Sequence, residues 1–157
     1  MGVHGCVALS RDSMARVDSV PTMPGARFGG AVTRADLARW IEAYERAWRT
    51  AGTEPLRELF APDARYRAAP FDEPLRGLET IAAFWEAERV RPDEVFVLAS
   101  EPVAVEGEVG VARIEVRYGD PVARTYRDLW VVTLDAEGRC TAFEEWPFFP
   151  GQPRVAS

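Results

Sequence analysis

The chain has 157 residues, 47% of them hydrophobic and 28% charged, which is enough apolar material for one domain with a real core and too much for a disordered chain. Its formal net charge of −6 removes the attraction on which non-specific binding to nucleic acid or anionic membrane depends, so neither is expected as a partner. All 19 basic residues are Arg, the one histidine is His4, and the cysteines are Cys6 and Cys140. Lysine Schiff-base chemistry is thereby excluded, no imidazole is expected in the folded part, and two thiols are too few for a disulfide framework or a zinc site. Free thiols in a reducing cytoplasm are the simpler reading, and neither metal nor cofactor is expected.

Residues 1–31 show no sustained periodicity, and their longest apolar run, Val7-Ala8-Leu9, falls short of a signal-peptide core or a membrane span. They are expected to form a flexible tail, with Met14 and Met23 as alternative starts, ahead of a domain over 32–152 and a short tail at 153–157. Order begins at Thr33, an N-cap with Asp36 at the third helical position, followed by Leu37, Trp40, Ile41, Tyr44, Ala47 and Trp48 at helical spacing. This first helix should end near Ala51-Gly52. Thr53-Glu54-Pro55 then caps a short helix through Phe60, which Ala61-Pro62-Asp63 breaks. A short strand over 64–69 centred on Tyr66 follows, then a loop over 70–77 and a third helix over 78–89 with Ile81, Phe84 and Trp85 on its buried face, ended by Arg91-Pro92-Asp93.

From Glu94 onward the pattern is strand and turn. A run over 95–105 is interrupted by Pro102, the sign of a bulge or an edge; Glu106-Gly107-Glu108 turns into a strand over 109–118, and Gly119-Asp120-Pro121 turns again. The strongest hairpin lies in RTYRDLWVVTLDAEGRCTAFEEWPFFPGQ, residues 124–152, where Asp135-Ala136-Glu137-Gly138 separates two runs rich in β-branched and aromatic residues. Helices first and an antiparallel meander after them predict an α+β fold, with helices against one face of a curved sheet. Within the hairpin, Asp128 and the pair Glu144, Glu145 stand among aromatics, an unusual place for carboxylates.

Three features in this order, the aromatic first helix, LFAPDARYRAAPF followed by Gly77 and a helix with Ile81 and Phe84, and the late hairpin with its acidic-aromatic ending, resemble the nuclear transport factor 2-like superfamily. The likeness covers residues 33–152 and is nearest to the SnoaL-like polyketide cyclase and limonene epoxide hydrolase branches. It implies a cone-shaped curved antiparallel sheet packed against the N-terminal helices, an apolar pocket inside, and often a dimer made through the sheet. Reactions vary widely on this fold. The epoxide hydrolases use an Arg-x-Asp pair and an Asp on the last strand to activate a water, and here Arg113 and Glu115 supply Arg-x-Glu while Glu145 falls at the last-strand position. Tyr66 is carried over as well, but Ala68 stands where those enzymes have a water-holding Asn.

The candidate catalytic residues are therefore Arg113, Glu115, Glu145 and Asp128, and the candidate ligand contacts are Tyr44, Tyr66, Arg117, Tyr126, Trp130 and Phe143. Strand period two puts Arg113 and Glu115 on one face, where a guanidinium could hold two carboxylates by forked hydrogen bonds. The same alternation of Arg113, Glu115 and Arg117 with Ala112, Ile114, Val116 and Tyr118 is equally the pattern of a sheet with one wet face. Asp128 shares a face with Tyr126 and Trp130, which favours a sheltered position over a surface turn. Trp40 and Trp48 are assigned to the core, Asp63 to a turn and Cys140 to an inert buried thiol. Three classes of function follow: a cofactor-independent acid/base enzyme (isomerase, cyclase or hydrolase) on a small apolar molecule, a non-catalytic binding module, or a dimerisation module. Trp146, Phe148 and Phe149 are too much aromatic surface for one short strand to leave in water, so a cytoplasmic homodimer is expected.

Overall fold

The structure is a computed structural model that describes residues 30–89 and 93–152; the expected tails, His4, Cys6 and the Arg91-Pro92 helix stop lie outside these. The first helix, α1 (Arg34–Arg49), begins as its sequence dictates. Thr33 accepts from the Asp36 backbone N–H while the Asp36 carboxylate reaches back to the Thr33 N–H at 2.9 Å, a reciprocal capping box. Leu37, Trp40, Ile41, Tyr44 and Ala47 form the buried stripe. The second helix, α2 (Leu56–Leu59), is one turn long and starts one residue after Pro55 rather than at Thr53.

The strand that follows, β1 (Phe60–Arg67), starts four residues earlier than its composition predicts. Pro62 does not end the segment, because the register between β1 and the last strand is irregular between Phe60 and Arg65, where a missing N–H is tolerated. A two-residue strand, β2 (Leu75–Arg76), lies inside the predicted loop and pairs with β1; α3 (Leu78–Glu88) follows, with Ile81 and Trp85 fully buried. The remaining strands are β3 (Phe96–Glu106), β4 (Val109–Tyr118), β5 (Arg124–Leu134) and β6 (Cys140–Phe148).

Six strands form one sheet in the order β2-β1-β6-β5-β4-β3. The last four make the predicted antiparallel meander, whereas β1 joins it parallel to β6, so the sheet is mixed. The expected bulge at Pro102 appears as a register shift between Pro102 and Ala104, and Arg34 covers it by donating to the carbonyls of Pro102 and Val103. Gly138 closes the β5–β6 turn at φ 81, a conformation costly for a side chain.

Helices and sheet meet over an aromatic core. Trp40 stacks edge-on against Phe60 and Phe143 and donates its indole N–H to the Leu59 carbonyl at 3.0 Å. Gly110 lets α1 approach β4: a Cβ there would stand 2.8 Å from the Leu37 side chain. This packing fixes which strand residues face inward. On β4 they are Gly110, Ala112, Ile114 and Val116; on β5, Asp128, Trp130, Val132 and Leu134.

Candidate functional site

Between the C-terminal half of α1, α3 and the end of the sheet where β4 turns into β5 lies a cavity of about 290 Å³. Helix α1 contributes Tyr44 and Trp48, one turn apart, and α3 contributes Phe84. The inner faces of β3, β4 and β5 supply Phe96, Val116, Tyr118, Tyr126, Asp128 and Trp130; Tyr66 comes from β1 and Glu145 and Pro147 from β6. The mouth carries Glu45, Glu88, Glu94 and Arg124. Aromatic rings are thus the commonest element of the wall, and its interior carboxyl groups are Glu145 and Asp128.

Glu145 reaches the floor through strand register. It pairs directly with Trp130, and Phe143 pairs with Val132, so on β6 the odd residues 143, 145 and 147 point inward. A register shift between Thr133 and Leu134 then brings Cys140 to the same face, where its thiol is fully buried and pushed far above the usual range by desolvation. The Tyr66 hydroxyl donates to the Glu145 carboxylate at 2.5 Å, the length of a charge-assisted O–H···O⁻ bond. The Tyr44 hydroxyl stands beside that of Tyr66, and burial holds both phenols well above their ordinary pKa, so they remain protonated donors.

Burial also raises Glu145 to about 7, reinforced by the charges of Asp128 and Glu88 and opposed by the Tyr66 hydrogen bond and the Trp130 indole N–H. Asp128 rises to about 6 for the same leading reason, opposed by Trp130 and by the backbone N–H of Phe148. Trp130 Nε1 therefore lies near both carboxylates and pulls both downward, yet its direction completes a hydrogen bond with neither. Nε1 and Asp128 Oδ1 are buried without a partner. Among the described residues the one basic side chain on the cavity wall, Arg124, is paired with Glu94 and lies over the Tyr118 ring at 4.8 Å. Tyr118 is raised to about 12 by burial.

Of the sequence candidates, Glu145, Asp128, Tyr44, Tyr66, Tyr126 and Trp130 line this cavity together. Phe143 does not; it is 1% exposed beneath the floor, packed between Tyr66 and Trp130. Arg113, Glu115 and Arg117 are on the opposite, outer face of β4. Arg113 pairs there with Glu101 at 3.4 Å, and Glu115 with Arg127 at 3.0 Å and Arg117 at 3.2 Å. The trio of Arg113, Glu115 and Glu145 is therefore not assembled: β4 turns its apolar set inward, and the wet-face alternative describes its odd residues. Ala68, at the position of a water-holding Asn, does face the cavity.

Several wall residues carry no sequence signal strong enough to single them out. Trp48, expected in the core, lines the cavity a turn from Tyr44 on the same stripe. Phe96 and Tyr118 pair with each other across β3 and β4, and the parity of Val116 would have pointed to both. No local signal marks Glu88 or Glu94. Among the described residues no group of three His, Cys, Asp or Glu side chains could hold a metal ion, and no helix is long and apolar enough to cross a membrane.

Comparison with known proteins agrees with this architecture. A model of the SnoaL-like domain matches residues 31–143. Among solved structures, the chain is similar to one described as a candidate isomerase of the SnoaL-like family from Agrobacterium tumefaciens, at 26% identity and a TM-score of 0.56, over 73% of this chain and 98% of that one. It is similar in fold to a candidate polyketide cyclase from Sinorhizobium meliloti (24% identity, TM-score 0.51, 73% of this chain and 99% of that one). The same holds for an LEH-like epoxide hydrolase from M. tuberculosis (17% identity, TM-score 0.56, 73% of this chain and 84% of that one). No curated protein matches the sequence significantly.

Proposed function

The chain belongs to the SnoaL-like domain family, and from that premise we propose that it binds a small, mostly apolar molecule in the aromatic cavity and moves a proton on it with Glu145. The observation that carries this reading is a carboxyl group on an aromatic floor, held by a tyrosine hydroxyl and raised to about 7. A group with that pKa is part ionised at neutral pH and can both take and return a proton, which is the requirement for general acid/base catalysis. Tyr66 fixes the direction of the carboxylate and Tyr44 backs Tyr66. Asp128 is the second carboxyl group of the floor, close enough to raise Glu145 by its charge.

The reaction class best supported is proton transfer at a carbon next to a carbonyl, as in isomerisation or cyclisation. Glu145 takes the proton as the C–H bond breaks, its electron pair moves onto the carbonyl oxygen, and the protonated carboxyl returns the proton elsewhere on the frame. Water activation by an Arg-supported carboxylate pair has less support, because Arg113 and Glu115 face outward and Ala68 offers no hydrogen bond. The likeness to a candidate isomerase accords with this choice. At 290 Å³ the cavity is nearly twice the ~150 Å³ that accommodates a benzene ring, which suits a two-ring molecule.

The test is solvent exchange: two-ring ketones such as 2-decalone are incubated with the protein in D₂O and loss of the α-protons is followed by NMR. Catalysed exchange is expected, rising with pH through about 7 and falling about 100-fold in Glu145→Gln. Exchange no faster than in buffer across the ketone panel, or unchanged in the variant, rejects the reading.

The assembly proposed with it is a homodimer through the outer sheet face. Leu129 pairs with Trp146 and Val131 with Val111 on that face, forming an apolar band away from the helices, and Phe148 and Phe149 beside it are about half exposed.

A further inference from the structure

The charges of the cavity are unevenly matched. Glu45 at the mouth is held by Arg49 at 2.6 Å, and Glu94 by Arg124. Three other carboxylates facing the same space, Glu88, Asp128 and Glu145, have no cationic partner among the described residues, and Asp128 and Glu88 are both near enough to Glu145 for their charges to act on it. Asp128 is 8% exposed and its Oδ1 is without a hydrogen-bond partner. A buried carboxylate of this kind is costly unless a counter-charge reaches it. Among the described residues none does: Arg124 is already taken, and Arg113, Arg117 and Arg127 lie on the far side of the sheet.

Much of the remaining wall is aromatic. Tyr44 and Trp130 have their ring centroids 4.7 Å apart, and Tyr118 and Tyr126 meet edge-to-face nearer the mouth. Aromatic faces attract cations through their quadrupole, most strongly when the site is desolvated. An anion would meet the opposite situation, with three unneutralised carboxylates and no free guanidinium.

We propose that the ligand of this cavity is a protonated amine on an apolar frame, held by the aromatic walls and by the carboxylate of Asp128, with Glu88 drawing it in at the mouth. This rests on the cavity being the ligand site of the preceding reading and names the class of molecule it takes. The amine end pairs with Asp128, which leaves Glu145 free to exchange its proton at the carbon frame.

The phenols that line the cavity with Asp128 from α1, β1 and β4, namely Tyr44, Tyr66 and Tyr118, stay neutral, while Asp128 and Glu145 change charge between pH 5 and 8. An alkylamine near its ordinary pKa of ~10.4 stays charged throughout this range. Its affinity should therefore rise with pH as the carboxylates ionise.

The experiment is calorimetric titration of the full chain with three probes on one decahydronaphthalene frame, bearing a 2-amino, 2-hydroxy or 2-carboxylate group. At pH 8 the amine is expected to bind at least about tenfold tighter than the alcohol, and the carboxylate weakest. From pH 5 to 8 amine affinity should rise while that of the alcohol does not. Asp128→Asn should cost the amine about tenfold and leave the alcohol within about twofold; Glu88→Gln, at the end of α3, should slow association of the amine alone. Alcohol binding as tight as amine binding at pH 8, or an equal loss for both probes in Asp128→Asn, overturns the cation. If that happens while ketone exchange still depends on Glu145, the proton-transfer reading stands and only the ligand class is wrong. If no probe binds and no ketone exchanges, both fall.

Discussion

The two faces of β4 and its neighbours carry the same kinds of charged side chain under opposite conditions. On the outer face Glu115 is gripped by Arg117 and Arg127, and Arg113 by Glu101, with the three arginine side chains half to four-fifths exposed. Water screens these pairs, and each is worth roughly 0–1 kcal/mol. On the inner face Asp128 and Glu145 have aromatic neighbours and no guanidinium, and burial moves them to about 6 and about 7. Charge alone therefore does not mark a functional carboxylate. The side of the sheet does, because it decides whether the charged form is solvated.

Four experiments test that contrast. The largest effect is expected at Trp130, 2% exposed between Tyr44 and Phe143: Trp130→Ala should cost about 3–5 kcal/mol in a denaturant melt. A loss below 1 kcal/mol would mean that the inner face is not packed as described.

Next is Glu145. Its folded pKa of about 7 lies above the ordinary ~4.3 of an unfolded glutamate, so the folded state binds the extra proton between these values. Its contribution to stability is fully present below pH ~4 and is lost as pH rises through about 7. Glu145→Gln, which keeps the shape and can still accept from Tyr66, should gain on the order of 2 kcal/mol at pH 8 and nothing at pH 4. Equal stability of the two proteins at both pH values would place Glu145 in water.

A smaller effect tests the proposed dimer. Leu129→Asp on the outer face should raise the dissociation constant at least about tenfold, or ~1.4 kcal/mol, in sedimentation. A wild-type chain that sediments as a monomer at micromolar concentration would refute the assembly. The smallest effect belongs to Arg113→Ala, expected to change stability by about 0–1 kcal/mol, since its partner Glu101 is as exposed as it is. A loss of several kcal/mol would return Arg113 to a buried network.

What was legible in the sequence followed from contacts within a few residues. The Thr33–Asp36 capping box, the Gly138 turn, the bulge at Pro102 and the existence of the β5–β6 hairpin are local, and each has a residue type that suits it. Asp128 could be placed beside Trp130 because a strand puts residues two apart on one face. The start of β1 was not legible, because Pro62 signals a break and only the parallel partner β6 carries the strand through it.

Residue order and periodicity are enough to put helices before a meander, to make one face of each strand apolar, and to set carboxylates among aromatics near its end. The tertiary structure decided which face is which. On β6 both parities hold aromatics and acids, with Phe143 and Glu145 on one and Glu144 and Trp146 on the other, so no periodicity separates them. The choice comes from pairing with Trp130 and Val132, whose side chains α1 has already drawn inward. On β4 the close approach of Leu37 to Gly110 turns Arg113 and Glu115 out to solvent. A strand offers two faces with equal backbone hydrogen bonding, and only the helix packed on one of them makes that face dry enough to shift a carboxylate's pKa.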